Sequence, residues 1–398
     1  MKQIKFRMGY RYPVFFRRVV LAAAVSIAGG VTSANADEIT IGAQFSLSGP
    51  AAAYAGPNVR AGAEAAVERV NAAKLLGANR TLKLILDDNG GAKTQAISLV
   101  TKQATSDQVL AIVGPQGSDL AVPAAPVANE LQVPMLTLGG SAAIAQAGPW
   151  SFIVLATAEG LVAESVKLAA GKMKAKTVGV VFDRTNDSSV RMKNAFEAAM
   201  KARGVKVVAS EGVAPQDTNF GPLATKLVNT DMDALYIESP PGVVANVIIQ
   251  VKQAGFDPKI KILSSPNASS PQFVKVGGEA VNGVYYPTAY LPSTDTPENK
   301  SFVTAYRARM NGSDPDLLAA MSYNATMMVA EAIKIAAPSG DKAKLKEDRE
   351  KIRNALSNLR GVPAVMGTGK YSFKERAGDY PNVMVQLVGG KEVVVPVE

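Results

Sequence analysis

The feature that most limits the fold is an alternation. From residue 39 to residue 263, short runs rich in Val, Ile and Leu alternate with longer stretches in which apolar residues recur every three or four positions. Strands separated by helices pair as parallel βαβ units with right-handed crossovers. The expected strands cover 39–45, 82–86, 109–113, 133–138, 151–156, 177–182, 205–210, 234–237 and 260–263. One sheet of that size would be large for a chain of 398 residues, so two smaller sheets are expected. Helices are expected over 58–73, 161–174, 222–229 and 243–254, with others ending near 106, 131 and 203. Pro123 and Pro126 should delay the regular start of the helix that ends near 131, because proline fits most easily in a first turn. The alternation stops near 284–287. Three helices follow, over 297–310, 317–336 and 342–359, and with no strands between them they must cover a sheet already built. The tail reads as β over 369–373, 383–388 and 392–397, with a hairpin turn at Gly389-Gly390. A chain of this order crosses between two lobes more than once.

The net charge of +9 suggests an anionic partner until its location is considered. Residues 1–36 hold Lys2, Lys5, Arg7, Arg11, Arg17 and Arg18 and no acid, then an apolar run over 19–31, then small residues ending in Ala34-Asn35-Ala36. That order is a secretory signal peptide, cleaved after about Ala36, and its apolar run is short for a bilayer span. Without it the net charge is +3, so nothing calls for nucleic acid. The expected destination is the periplasm.

Chemistry is narrowed by what the chain lacks. It has no His and no Cys, which removes Ser-His-Asp triads, His bases, thiol nucleophiles, disulfides and a lipid-bearing cysteine. Gly139-Gly140-Ser141-Ala142-Ala143 lacks the final Gly of a nucleophile elbow, and Gly90-Gly91-Ala92-Lys93-Thr94 lacks the spacing of a phosphate loop. Asp87-Asp88 and Asp183-Arg184 end strands, where acids commonly cap the next element, and no metal-ligand spacing is visible. No catalytic residue, metal or cofactor is assigned.

What remains is a set of strand ends rich in Ser, Gly and Asn: Ser46-Ser48-Gly49, Gln116-Gly117-Ser118, Gly139-Gly140-Ser141, Glu238-Ser239-Pro240 and Ser264-Ser265-Pro266-Asn267. Any one of them is explained as an ordinary turn. Their recurrence in both halves points to a cleft, since ligands of open α/β sheets bind outside the carboxyl ends of strands. The turn 114–119, between a strand and a helix, suits a carboxylate or phosphate.

In order and spacing, these residues resemble the branched-chain amino acid type of periplasmic binding protein that serves ABC transporters. The resemblance rests on Ile39-Thr40-Ile41-Gly42 leading to Leu47-Ser48-Gly49-Pro50, on Leu86-Asp87-Asp88, and on Val113-Gly114 before Gly117-Ser118. Val133-Pro134-Met135-Leu136, Val180-Val181-Phe182-Asp183 and Gly369-Lys370-Tyr371-Ser372-Phe373 extend it over nearly all of the mature chain. It implies the type I fold: two Rossmann-like lobes with mostly parallel sheets, joined by three hinge crossovers near 156–159, 286–291 and 366–371. Lobe 1 would be 37–157 plus 288–366, and lobe 2 would be 158–287 plus 367–398. It further implies that Gly117 and Ser118, with Gly140, Ser141 and Ala142, hold a ligand carboxylate, and Gln116 at the same strand end is a further candidate. Tyr54 and Leu318 would line a side-chain pocket.

The second lobe departs from that pattern. Where the family places an acid for the ligand ammonium, the loop of this chain reads Ser264-Ser265-Pro266-Asn267 and has none, which leaves Asn267 as a candidate for that end of the ligand. Either Asp187 or Glu238 supplies the charge from a new direction, or the ligand is an acid without an ammonium. The function expected is capture of a small carboxylate by lobe closure and delivery to a membrane permease, by a monomer with no enzymatic step. A sensor working with a separate receptor is the alternative. A secreted enzyme without His or Cys ranks below both.

Overall fold

A computed structural model of the chain describes residues 37–49, 52 and 56–397; the expected signal peptide and Tyr54 lie outside them. Fifteen strands are found among the described residues, in two sheets. The first sheet holds β1 (Asp37–Phe45), β2 (Arg80–Asp88), β3 (Ile112–Val113), β4 (Met135–Thr137) and β5 (Ser151–Ala156). The second is built from β6 (Thr177–Asp183), β7 (Lys206–Val213), β8 (Ala234–Glu238), β9 (Lys261–Ser264) and β10 (Tyr285–Thr288). Later segments complete both: β11 (Val362–Pro363), β12 (Lys370–Lys374) and β13 (Ala377–Asp379) join the first, and β14 (Val383–Val388) and β15 (Lys391–Val394) join the second. The orders are β11-β12-β13-β5-β4-β3-β1-β2 and β15-β14-β10-β9-β8-β6-β7. Strands β1 to β5 pair in parallel, as do β6 to β10, while β12 and β14 run antiparallel to their neighbours. The fold is α/β with helices over both faces of each sheet.

Sequence explains the layering. The helix Gly56–Ala72 is lined with Ala61, Ala63, Ala65 and Ala66, all buried, and it packs on the late helix Leu317–Ala336. A Cβ on Gly62 would meet the Ala319 carbonyl oxygen at 2.2 Å, so these helices approach closely because their contact residues are small. Central strand β8 is buried along its whole length, as a sheet covered on both faces requires. Among the described residues no helix is long and apolar enough to cross a membrane.

The chain leaves the first sheet after Ala156 and returns from the second after Thr288. Its last crossing corrects the boundary expected near 366–371. It lies between Asp379 and Val383, so β12 and β13 belong to the first sheet and not to the second lobe. The reason is aromatic burial. Phe373 meets Phe152 edge-on at 5.5 Å between ring centroids, and the Tyr371 hydroxyl donates to the Val154 carbonyl at 2.8 Å, which ties β12 to the first core. The prolines also act differently from expectation. The helix Ser118–Glu130 starts at Ser118 with Pro123 and Pro126 inside it, held by burial of Leu120, Ala121, Ala124, Ala125 and Ala128.

One glycine holds the opening turn. Gly114 has φ 95°, and a Cβ there would lie 2.3 Å from the Gln44 carbonyl oxygen. Gly114→Ala should therefore lower the unfolding free energy by about 2–4 kcal/mol in urea titration, and a loss no larger than that of a surface substitution would contradict the close approach.

Candidate functional site

The turns after β3 and β4 lie side by side at the carboxyl end of the first sheet. Gln116 is buried and its Oε1 accepts from Ser46 N at 3.1 Å, which ties the turn to the loop leaving β1. Gly117 precedes the first helical residue with φ 83°. Ser118 is the brace between the turns: its Oγ accepts from Gly140 N and from Ser141 N, both at 3.1 Å. The N–H groups of Gly140 and Ser141 are therefore spent on Ser118 and not left open. A hydroxyl has two acceptor directions and one proton, so the Ser118 O–H remains free to donate to an anion. Ala142 begins the short helix Ala142–Gln146 behind the buried Ser141. Because two backbone groups depend on Ser118, Ser118→Ala should cost about 1–3 kcal/mol of stability as well as about tenfold in carboxylate affinity, read by urea titration and calorimetry. Unchanged stability would contradict the bracing role.

Across from these turns stands the helix Asp187–Ala202, which follows β6. Its cap is Asn186, whose side chain accepts from Ser188 N and Ser189 N. Residues three apart share a helix face. Ser188 and Arg191 face the first lobe: a Cβ on Gly140 would lie 3.5 Å from Ser188 Oγ, and Arg191 Nη2 donates to Ser141 Oγ. Ser189 and Met192 are buried against their own lobe. Asp187 is exposed to solvent, so the first of the two acids expected to meet a ligand ammonium does not lie on the inner face. Arg191 is half-buried, its Nε is buried without a partner, and no carboxylate of the described residues lies within 4.0 Å of it.

Glu238 ends β8 and is 0% exposed. Its Oε1 accepts from Ser189 Oγ at 2.9 Å and from Asn267 Nδ2 at 3.2 Å, while Oε2 is buried without a partner. Burial pushes this carboxyl up to about 7. The nearby hydroxyls of Ser265 and Ser189 oppose that rise, and the charge of Asp183 adds to it. Asn267, exposed in the loop after β9, also donates to the Ser239 carbonyl at 3.3 Å, so it positions Glu238. Leu318 is half-buried in the first turn of Leu317–Ala336 and packs against the large buried cluster that runs through both lobes. Among the described residues, no group of three or more acidic side chains is placed to hold a metal ion.

The model of a family described as periplasmic binding protein matches residues 38–391. The chain belongs to that family. Among its relatives, a leucine-, isoleucine-, valine-, threonine- and alanine-binding protein of Pseudomonas aeruginosa is 28% identical over 373 residues, covering 91% of this chain and 92% of the relative. A solved leucine-binding protein of Thermotoga maritima is 26% identical with a TM-score of 0.78, covering 90% of this chain and 98% of that one. A solute-binding protein of R. palustris, solved with 4-hydroxybenzoate, shares the fold at 20% identity and a TM-score of 0.76, covering 90% and 95% of the two chains. This binding protein thus has the two-lobed type I architecture, and its family is one of solute binders. Two residues that motif reading missed stand at the candidate site, Arg191 on the inner face and Ser189 behind it against Glu238. Only the helical spacing after β6 could have found them, by placing Arg191 one turn beyond Ser188 on the inner face.

Proposed function

We propose that this chain is an extracytoplasmic solute-binding protein that captures a small organic carboxylate between its lobes and delivers it to an ABC transporter permease. The observation that carries this reading is Arg191. A half-buried guanidinium with no counter-ion among the described residues reaches from the second lobe to Ser141, beside the free hydroxyl proton of Ser118. A planar carboxylate is the natural partner of that fork. Because the contact spans both lobes, a bound anion stabilises their closure, and opening removes Arg191 from the anion. Gln116, Gly117 and Ala142 shape the anion end, with Tyr54 and Leu318 proposed for the apolar part. Residues 1–36 would direct export and be removed.

Acids without an ammonium fit best, since Arg191 adds positive charge to the site and the loop Ser264-Ser265-Pro266-Asn267 holds no acid. The amino acid reading has one observation in its favour, the unpartnered Oε2 of Glu238, and the names of relatives point the same way. Thermal shift with L-leucine and with 4-hydroxybenzoate separates the two readings. Stabilisation by the free acid with none by leucine is expected, and the reverse would assign Glu238 to an ammonium. Uptake of the stabilising compound should stop when the gene is deleted. Unchanged uptake would contradict the transport role.

A further inference from the structure

A second cavity between the lobes has no part in the site above. It measures about 290 Å³ and lies where the loop after β9 and the β14–β15 hairpin face the start of the helix Leu317–Ala336. Three acids line it, Asp314, Asp316 and Glu392, and no lysine or arginine does. Asp314 is paired with Arg307 through Nε at 2.7 Å, so its charge is offset. The other two have no ion-pair partner among the described residues. Asp316 caps its helix, accepting from Ala319 N at 2.8 Å and Asn58 Nδ2 at 2.6 Å. Glu392 accepts from Ser269 Oγ at 2.8 Å and is bonded to the Tyr286 hydroxyl. Burial holds both carboxyls above their ordinary range, a cost that a cation in the cavity would relieve.

An independent feature is Tyr290. It is 2% exposed, it lines the cavity, and its hydroxyl is buried with no hydrogen-bond partner. A buried phenol normally finds a partner, so this one is left for an occupant. Ser269, Ser270 and Tyr286 add hydroxyls beside Glu392, and the rest of the wall includes the apolar side chains Val274, Leu317 and Leu387. A bare metal ion would want more oxygen ligands and no alkyl wall. An organic ammonium wants both, with aromatic faces beside its charge.

We infer that this cavity is a second ligand site, built for an alkylammonium group. The ammonium donates to Glu392, Asp316 and the Tyr290 oxygen, and its alkyl chain packs on Val274, Leu317 and Leu387. Since Asp316 and Leu317 come from the first lobe and Glu392 and Val274 from the second, an occupant favours the arrangement in which the lobes meet.

The test is isothermal titration of the purified protein with n-butylammonium chloride, against n-butanol and potassium chloride at matched concentration and ionic strength. Saturable binding of butylammonium alone is expected. Glu392→Gln keeps an acceptor for Ser269 but removes the charge, and should weaken binding about tenfold or more. Tyr290→Phe should weaken it about threefold and serves if the first variant does not fold. Excess 4-hydroxybenzoate should not displace butylammonium, which separates this site from the carboxylate site. No saturation, an equal response to potassium, unchanged affinity in the folded variants, or displacement of butylammonium by 4-hydroxybenzoate would overturn the assignment.

Discussion

Replacing Arg191 by glutamine is expected to weaken carboxylate binding about 100-fold, or about 3 kcal/mol, while leaving the fold intact. The size follows from the setting. The guanidinium is half-buried and unpaired among the described residues, so a ligand carboxylate would be its first counter-ion. Its desolvation is already met in the folded protein, so little of the attraction is lost again on binding. Glutamine keeps a donor near Ser141 but removes charge and fork. Arg191→Lys should recover about tenfold of the loss, because a point charge replaces only part of a bidentate contact. Titration calorimetry with the acid that stabilises the protein reads both variants. Affinity within about twofold of the parent in Arg191→Gln would remove this residue from the site.

The second large effect concerns Glu238 and pH. Its carboxyl lies at about 7 in the folded protein against an ordinary 4.5. Between those values the folded protein keeps a proton that the unfolded chain has released. Stability from this group therefore falls as pH rises from 4.5 to 7 and is level above. The shift corresponds to about 3 kcal/mol. Glu238→Gln cannot titrate, so the parent should lose about 3 kcal/mol relative to the variant between about pH 4.5 and pH 7.5. Asp316 and Glu392 are raised in the same direction, but both proteins contain them and the difference cancels their effect. Chemical denaturation at a series of pH values gives the result, and a constant difference would show that Glu238 does not hold its proton. The same group sorts ligands. An ammonium against Oε2 needs the ionised form, so amino acid binding would strengthen as pH rises through 7. Binding of an acid held by Arg191 would not.

Much of this architecture was legible because strands and helices announce themselves by different apolar periods. The nine alternating strands, the late helices and the Gly389-Gly390 hairpin are all present. The last crossing was not legible. Alternation in Tyr371-Ser372-Phe373 states that one face of β12 is buried, but it does not say against which core, and Phe152 decides that from more than 200 positions away. The turns after β3 and β4 could be read from glycine and serine at strand ends, since their backbone geometry is local. The other side of the site could not. Asp187 and Arg191 stand one helical turn apart, yet Asp187 is exposed and Arg191 reaches Ser141, a difference set by how the helix rests on its sheet. Glu238 was legible as a candidate, but its burial behind Ser189 and Asn267 was not.

We place the anion between Arg191 and the Ser118–Ser141 brace. Titration calorimetry with the carboxylic acid that stabilises the protein and with its primary amide decides this, since such a pair differs in charge and hardly in shape. Saturable binding of the acid is expected, with affinity for the amide lower by about 100-fold or more. Equal affinity for the two, or tighter binding of the amide, would contradict it.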